Sequence, residues 1–344
     1  MKSKNPNFVP CQCHIIPDVV FKQLKKEGYS VVPPKDAPVD KIFREERAAF
    51  MSSVRDLPTA APGNAARFVY DSQTGFTSKF KLVRKEGDAA TKDTDANAAY
   101  DNGGIVREYF TKQMGWNSID GNGLDLIFNV HFRKNYSNAF WNGSQMTFGD
   151  GDGASFTGFA RALDVTGHEL THGVVQYTAN LEYKNQSGAL NEHFADVFGV
   201  SINQFSLKQT AKTADWLVGA TCLIGQFKGK AIRSMKSPAD LSVVIMAQPE
   251  NMSNLYKGTS DNGGVHINSG IPNKAFYLVS MDIGTQEAAL LWFGALKLLK
   301  PTSKFADLYK ALVKSAKALI KLNKIPEAAN DSLKKAFQTV GIIL

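Results

Sequence analysis

The sequence is short of cysteine and of long apolar runs, and each shortage closes off a class of protein. Only three cysteines, Cys11, Cys13 and Cys222, occur in 344 residues. An odd number excludes a fully paired disulfide framework, and the strained loop between cysteines one residue apart argues against a Cys11–Cys13 bridge. Such a chain suits a reducing compartment. No uninterrupted apolar stretch approaches the roughly 18 residues of a membrane span. The longest candidate, Ala288 to Leu299, is broken by Gly294 and Lys297. The N-terminal MKSKNPNFVPCQCHIIPDVV begins basic, but prolines and polar residues interrupt any apolar core of a secretory signal. The expected location is therefore cytoplasmic, or outside the cell by a non-classical route.

Acidic residues are outnumbered, 32 Asp and Glu against 40 Lys and Arg, for a net charge of +8. Such a surplus can serve nucleic acid or an anionic surface, so its distribution matters. Lys310, Lys314, Lys317, Lys321 and Lys324 recur at helical spacing opposite Leu308, Leu312, Leu319 and Ile320. That pattern is one amphipathic helix with a solvated lysine face. No interleaving of basic and aromatic residues supports a nucleic-acid partner. Hydrophobic content of 43% is ample for one large or two medium globular domains.

Three parts follow in order. Residues 1–60 form a leader with Pro33 and Pro34, a helix expected from Asp40 to Arg55, and a breaker-rich linker from Leu57 to Gly63. Residues 61–178 read as β-rich, with strand-like runs at Arg67–Tyr70 and Asp125–Phe132. Turn clusters at Asp101–Gly104 and Gly121–Gly123 separate them, and a helix is expected over Gly104–Met114. From Phe156 onward, through the third part at 179–344, the pattern is helical, with turns near 184–187, 228–230 and 260–264.

The chemistry concentrates in Gly167-His-Glu-Leu-Thr-His-Gly173. On a helix, His168 and His172 stand one turn apart and can offer imidazole nitrogens to one ion, with Glu169 beside them. Twenty residues after His172, Glu192 and Asp196 are spaced i, i+4 on a second helix. One carboxylate can bind the ion while the other fixes a ligand histidine's tautomer. His193 is turned about 100° from Glu192 and faces elsewhere, as a partly buried or surface histidine. Two histidines, a glutamate and an open position describe a catalytic zinc site, since structural zinc fills four positions, mostly with cysteine.

With these motifs in place, the sequence resembles the thermolysin family of metallopeptidases, and more closely its protealysin-like branch with a short N-terminal propeptide. The resemblance runs from about Arg67 to the C-terminus through Asn138-Ala-Phe-Trp-Asn-Gly143, Gly149-Asp-Gly-Asp-Gly153, His168-Glu-Leu-Thr-His172, Gly188-Ala-Leu-Asn-Glu192 and Asp261-Asn-Gly-Gly-Val-His-Ile-Asn-Ser-Gly270. It implies an α+β, two-lobed thermolysin-like fold: a β-rich N-terminal lobe, a central HExxH helix and an all-α C-terminal lobe, preceded by the propeptide. It further implies a zinc-dependent neutral endopeptidase, a monomer made as a precursor and acting on peptides or proteins. Zinc would sit on His168, His172 and Glu192. Glu169 would be the general base, Tyr183 and His266 the oxyanion donors, and Asn191, Asp196 and Asp261 their supports. Arg233, Asn138 and Ala139 would align substrate as an added strand. Phe156, Phe159, Val165, Val218, Cys222 and Ile232 would line an apolar pocket for the residue after the cut. A zinc-fold binding protein without turnover is the alternative; it would need a damaged site, and Glu169, Tyr183 and His266 are all present.

The pattern departs from the family in two places. Its double calcium site aligns with Asp164, Asn203, Asp215, Leu217 and Ala220, and only two of these keep a carboxylate. Calcium needs 6 to 8 oxygens, so the double site is not preserved and at most one weak calcium site is expected. In the leader, Ile15-Ile-Pro17 is followed by Asp18 where the branch usually has a second proline. The leader is expected to inhibit its own chain, and Cys11, Cys13 or His14 is a candidate to reach the zinc.

Overall fold

The computed structural model describes residues 13–31, 65–76 and 79–342; the helix expected from Asp40 to Arg55 lies outside them. Six short strands form one sheet: β1 (Cys13–His14), β2 (Arg67–Asp71), β3 (Lys81–Lys85), β4 (Leu126–Val130), β5 (Ala139–Trp141) and β6 (Met146–Phe148). Their order is β1-β5-β6-β4-β2-β3, with β2–β4 and β4–β6 parallel and the other pairs antiparallel. β1 comes from the leader. It covers the edge of β5, with Cys13 opposite Trp141 and His14 opposite Phe140. The adjoining helix α1 (Asp18–Lys26) buries Val20, Phe21 and Leu24 in the main core.

One turn expected from sequence is a helix instead. Helix α2 (Thr94–Met114) starts ten residues before the expected Gly104, because the Asp93 carboxylate accepts from the amides of Asp95 and Ala96, 3.0 Å each, and caps it. The Asp101–Gly104 cluster therefore lies mid-helix. A Cβ on Gly103 would stand 2.2 Å from the Phe128 ring, so this glycine lets α2 settle onto β4.

Helices α3 (Leu163–Tyr177) and α4 (Asn185–Ser206) are almost wholly buried and cross closely. A Cβ on Gly199 would lie 2.5 Å from the Asp164 carbonyl, and one on Gly167 would lie 3.1 Å from the Gly199 Cα. The small residues set how near the two helices come. Residues 207–259 correct the expectation of continuous helix after Phe156. They hold the ribbon of β7 (Leu217–Val218) and β8 (Arg233–Ser234) among turns, where Gly219, Gly225 and Gly229 adopt positive φ. Five helices complete the chain: α5 (Ser260–Asn268), α6 (Gly270–Ile283), α7 (Thr285–Leu296), α8 (Phe305–Lys321) and α9 (Ala329–Thr339). α8 is the amphipathic helix expected, with Leu308 and Leu312 buried and Lys310, Lys314, Lys317 and Lys321 in solvent. The α+β class holds. Among the described residues no helix is long and apolar enough to cross a membrane.

Candidate active site

The α3–α4 crossing brings the two halves of the metal motif together. His168 Nδ1 lies 2.8 Å from Asp196 Oδ1, and His172 Nδ1 lies 2.8 Å from Asn191 Oδ1. Both partners accept, so each ring carries its proton on Nδ1 and turns a bare Nε2 inward. The two Nε2 atoms are 3.2 Å apart, and each stands 3.5 Å from a Glu192 carboxylate oxygen. Donors around a tetrahedral zinc, at about 2.0–2.1 Å from the ion, are themselves roughly 3.4 Å apart. The set fits such an ion, and Glu192 Oε2 is buried with no hydrogen-bond partner. Burial pushes His172 down to about 3, which keeps its imidazole neutral as a ligand must be. Burial also opposes ionisation of Glu192, but the charges around it, His266 foremost, outweigh it and hold the carboxyl below its usual range.

Glu169 is fully buried beside the ligands. Its Oε2 accepts the Trp141 amide at 2.9 Å, while Oε1 has no partner. Burial, joined by the charge of Glu192, pushes its carboxyl well above the ordinary range. Tyr183 and His266 close the opposite wall. The Tyr183 hydroxyl donates to Glu192 Oε1 and lies 3.1 Å from His266 Nε2. His266 Nδ1 is 2.7 Å from Asp261 Oδ1, and Asp261 Oδ2 accepts the His266 amide at 2.8 Å. A left-handed run from Asp261 to Gly264 folds that carboxylate back over the helix start. Burial disfavours charge on His266, yet Glu192 and Asp261 prevail and raise it to about 9.

The remaining residues named from sequence meet on the leader. Its backbone lies where the resemblance places substrate: the Ile15 amide donates to the Ala139 carbonyl at 3.2 Å. Asn138 brackets Ile16, accepting its amide at 3.1 Å and donating to its carbonyl at 2.8 Å. Arg233 Nη1 donates to the Ile15 carbonyl at 2.7 Å, and His266 Nε2 is 3.0 Å from the His14 carbonyl. Phe156, Phe159, Val165, Val218, Cys222 and Ile232 are all buried, and the leader's Phe21 ring stands 5.9 Å from that of Phe156. Cys13 is buried too, and its sulfur lies within 4.8 Å of ligand atoms on His172 and Glu192.

Two expectations change here. Cys13 is disulfide-bonded, against the expectation of unbridged cysteines, while Cys222 is a free, buried thiol. His193 does face away from the ligands, but it is fully buried rather than at the surface. Gly149–Gly153 is a structural turn: Asp152 Oδ1 accepts the amides of Ala154, Ser155 and Phe156. The Trp141 amide that holds Glu169 and the Asn273 amide that reaches Asp196 at 2.9 Å were missed, since neither belongs to a motif.

Comparison with known proteins agrees with this geometry. Residues 59–176 match the model of the thermolysin metallopeptidase catalytic domain, and residues 179–342 that of its alpha-helical domain. The chain belongs to the thermolysin family. It is 39% identical over 289 residues to an extracellular metalloprotease of Pectobacterium carotovorum, covering 81% of this chain and 82% of that protein. Protease PrtS of a Photorhabdus species is 41% identical over 280 residues, 78% and 75% of the two chains. Against thermolysin of Alicyclobacillus acidocaldarius the identity is 40% over 264 residues, 74% of this chain but 46% of that one. Among solved structures, the precursor of protealysin, a metalloproteinase from Serratia proteamaculans, superposes with a TM-score of 0.80 at 36% identity, covering 96% of this chain and 100% of its own. This member of the thermolysin family is a zinc metalloendopeptidase of the protealysin-like kind.

Proposed function

We propose that this thermolysin-family chain is a latent endopeptidase that cuts before bulky hydrophobic residues and is held silent by its own leader. The observation that carries the reading is the leader's backbone laid as a strand on β5, between Asn138, Arg233 and His266 and beside the three convergent donors. A cleft that holds one extended peptide this way can hold another. Zinc, on His168, His172 and Glu192, would polarise water and the scissile carbonyl. Glu169, with its unpartnered Oε1, takes the proton of the attacking water. His266 and Tyr183 donate hydrogen bonds where negative charge develops on the carbonyl oxygen, and Asp261 keeps the imidazole turned and charged. Arg233 and Asn138 hold the flanking backbone, and Phe156, Phe159 and Val165 take the apolar side chain.

In the docked state the leader occupies these same groups, and Cys13 stands over the ligands. Calcium is not part of this reading. Asp164 Oδ2 is already engaged by the Gly219 amide at 2.6 Å, and its neighbours supply too few oxygens for the family's double site. The full chain, incubated with and without a zinc chelator, tests the proposal when its new N-terminus and its cuts in casein are mapped by mass spectrometry. Cuts before Leu, Phe or Ile, abolished by the chelator and by Glu169→Gln, are expected. Equal cutting by wild type and Glu169→Gln would sink it.

A further inference from the structure

Behind Asp196 the hydrogen bonds continue into the helical lobe. Asp196 accepts four of them: His168 Nδ1 at 2.8 Å and Arg233 Nη2 at 2.7 Å on Oδ1, then Arg233 Nε at 3.0 Å and Asn273 Nδ2 at 2.9 Å on Oδ2. Asn273, on α6, turns its carbonyl oxygen to His193 Nδ1 at 2.7 Å. His193, on α4, receives the indole N–H of Trp292, on α7, at Nε2, 2.7 Å away. All four side chains are fully buried, so no water can substitute for a lost partner.

We propose that Trp292, His193 and Asn273 are positioning residues: a one-way chain of hydrogen bonds that fixes Asp196, and through it the ligand face of His168. The direction is set alike at both ends, for the Asp196 carboxylate only accepts and so turns the Asn273 NH2 toward it. An indole N–H only donates, so His193 Nε2 must accept and the ring proton must sit on Nδ1. That proton obliges Asn273 to offer its oxygen to His193 and its NH2 to Asp196. Every link then has one allowed polarity, and the carboxylate meets a donor. Without the indole, His193 Nε2 is left a buried acceptor without that donor, and the ring that holds the Asn273 amide loses its anchor on α7. Asp196 is then held less firmly, and the His168 ring with it. Partners behind a metal ligand commonly decide metal affinity and not only fold, and this chain extends that control across three helices to α7.

The inference rests on zinc at His168, His172 and Glu192, and the experiment separates the two claims. Zinc affinity of the full chain is measured by competition with a chelator, alongside the melting temperature of the metal-free protein and the histidine ring nitrogen-15 spectrum. Three variants are compared: Asn273→Leu, Trp292→Phe, and Phe276→Leu as a packing control. Phe276 lies 5.0 Å from Trp292 ring to ring and belongs to no link of the chain. Asn273→Leu is expected to raise the zinc dissociation constant about 10- to 100-fold, and Trp292→Phe to raise it in the same direction. The His193 Nε2 signal should shift in Trp292→Phe as its hydrogen bond is lost, with the proton staying on Nδ1. Phe276→Leu should lower the melting temperature and leave zinc affinity and the His193 Nε2 signal as in wild type. If affinity follows melting temperature alike in all three, or stays at the wild-type value in Asn273→Leu and Trp292→Phe, the chain is only structural and the proposal is overturned. Should Asn273→Leu not fold, Trp292→Phe against Phe276→Leu decides in the same way. A wild-type chain that binds no zinc would instead overturn the site reading, and this inference with it.

Discussion

Removing the ring of Phe21 tests whether the leader's hold on the cleft is the source of latency. Phe21 is fully buried, and its ring meets that of Phe156 in the apolar pocket. Truncating a buried phenylalanine to alanine costs about 3–5 kcal/mol. Its nearest support belongs to the catalytic lobe, so most of that loss falls on docking rather than on folding of the lobe itself. At about 1.4 kcal/mol per factor of ten, the lower figure multiplies the undocked population by about 100 or more. The backbone contacts through Ile15 and Ile16 remain, so docking weakens without being abolished. Self-processing would obscure the reading, so Phe21→Ala is placed in a Glu169→Gln background. A fluorescent peptide with a central leucine then reports cleft access by anisotropy. The apparent dissociation constant should fall about 100-fold, until it reaches that of the chain lacking its leader. An unchanged constant would falsify the claim that leader and substrate compete for one groove.

Further outcomes follow from individual contacts. Tyr183→Phe deletes one of the two donors aimed at the developing oxyanion and should lower kcat about 100- to 1000-fold with KM little altered; stopped assays on the processed enzyme measure it, and a loss confined to KM would contradict the role. His131 is held between Asp150, 2.9 Å from Nδ1, and Asp93, 3.0 Å from Nε2, and the hydrogen bond to Asp150 leads in raising it from 6.5 to about 9. A raised folded-state value stabilises fully below the unfolded value of 6.5 and is lost as pH climbs through about 9. The melting-temperature gap between wild type and His131→Gln should therefore be widest near pH 6 and shrink toward pH 10; a gap that widens instead reverses the sign. Calcium chelation with zinc replenished should barely move the melting temperature, and a drop of many degrees would show that Asp164 and Asp215 still hold an ion.

The sequence by itself determined which candidate ligands and base could meet, because each group rests on spacing along a helix, while the fold class came with the family resemblance. His168, Glu169 and His172 share one turn, and Glu192 and Asp196 share another, so helical geometry alone orders them. It also named Asn138, Arg233, Tyr183 and His266, but only through motifs matched to a family; nothing local ties an arginine on β8 to an asparagine before β5. The tertiary structure decided the rest. The Gly167–Gly199 crossing sets how close the two metal helices lie. The long span of α2 depends on Gly103 fitting under Phe128, a contact between residues 25 apart that a turn signal cannot anticipate. The leader's place on β5 depends on an edge strand with unpaired backbone groups, and edges are properties of a sheet. The fate of His193 was hidden for the same reason: its burial and its proton are fixed by Trp292 and Asn273, 99 and 80 residues away, which only folding brings into contact.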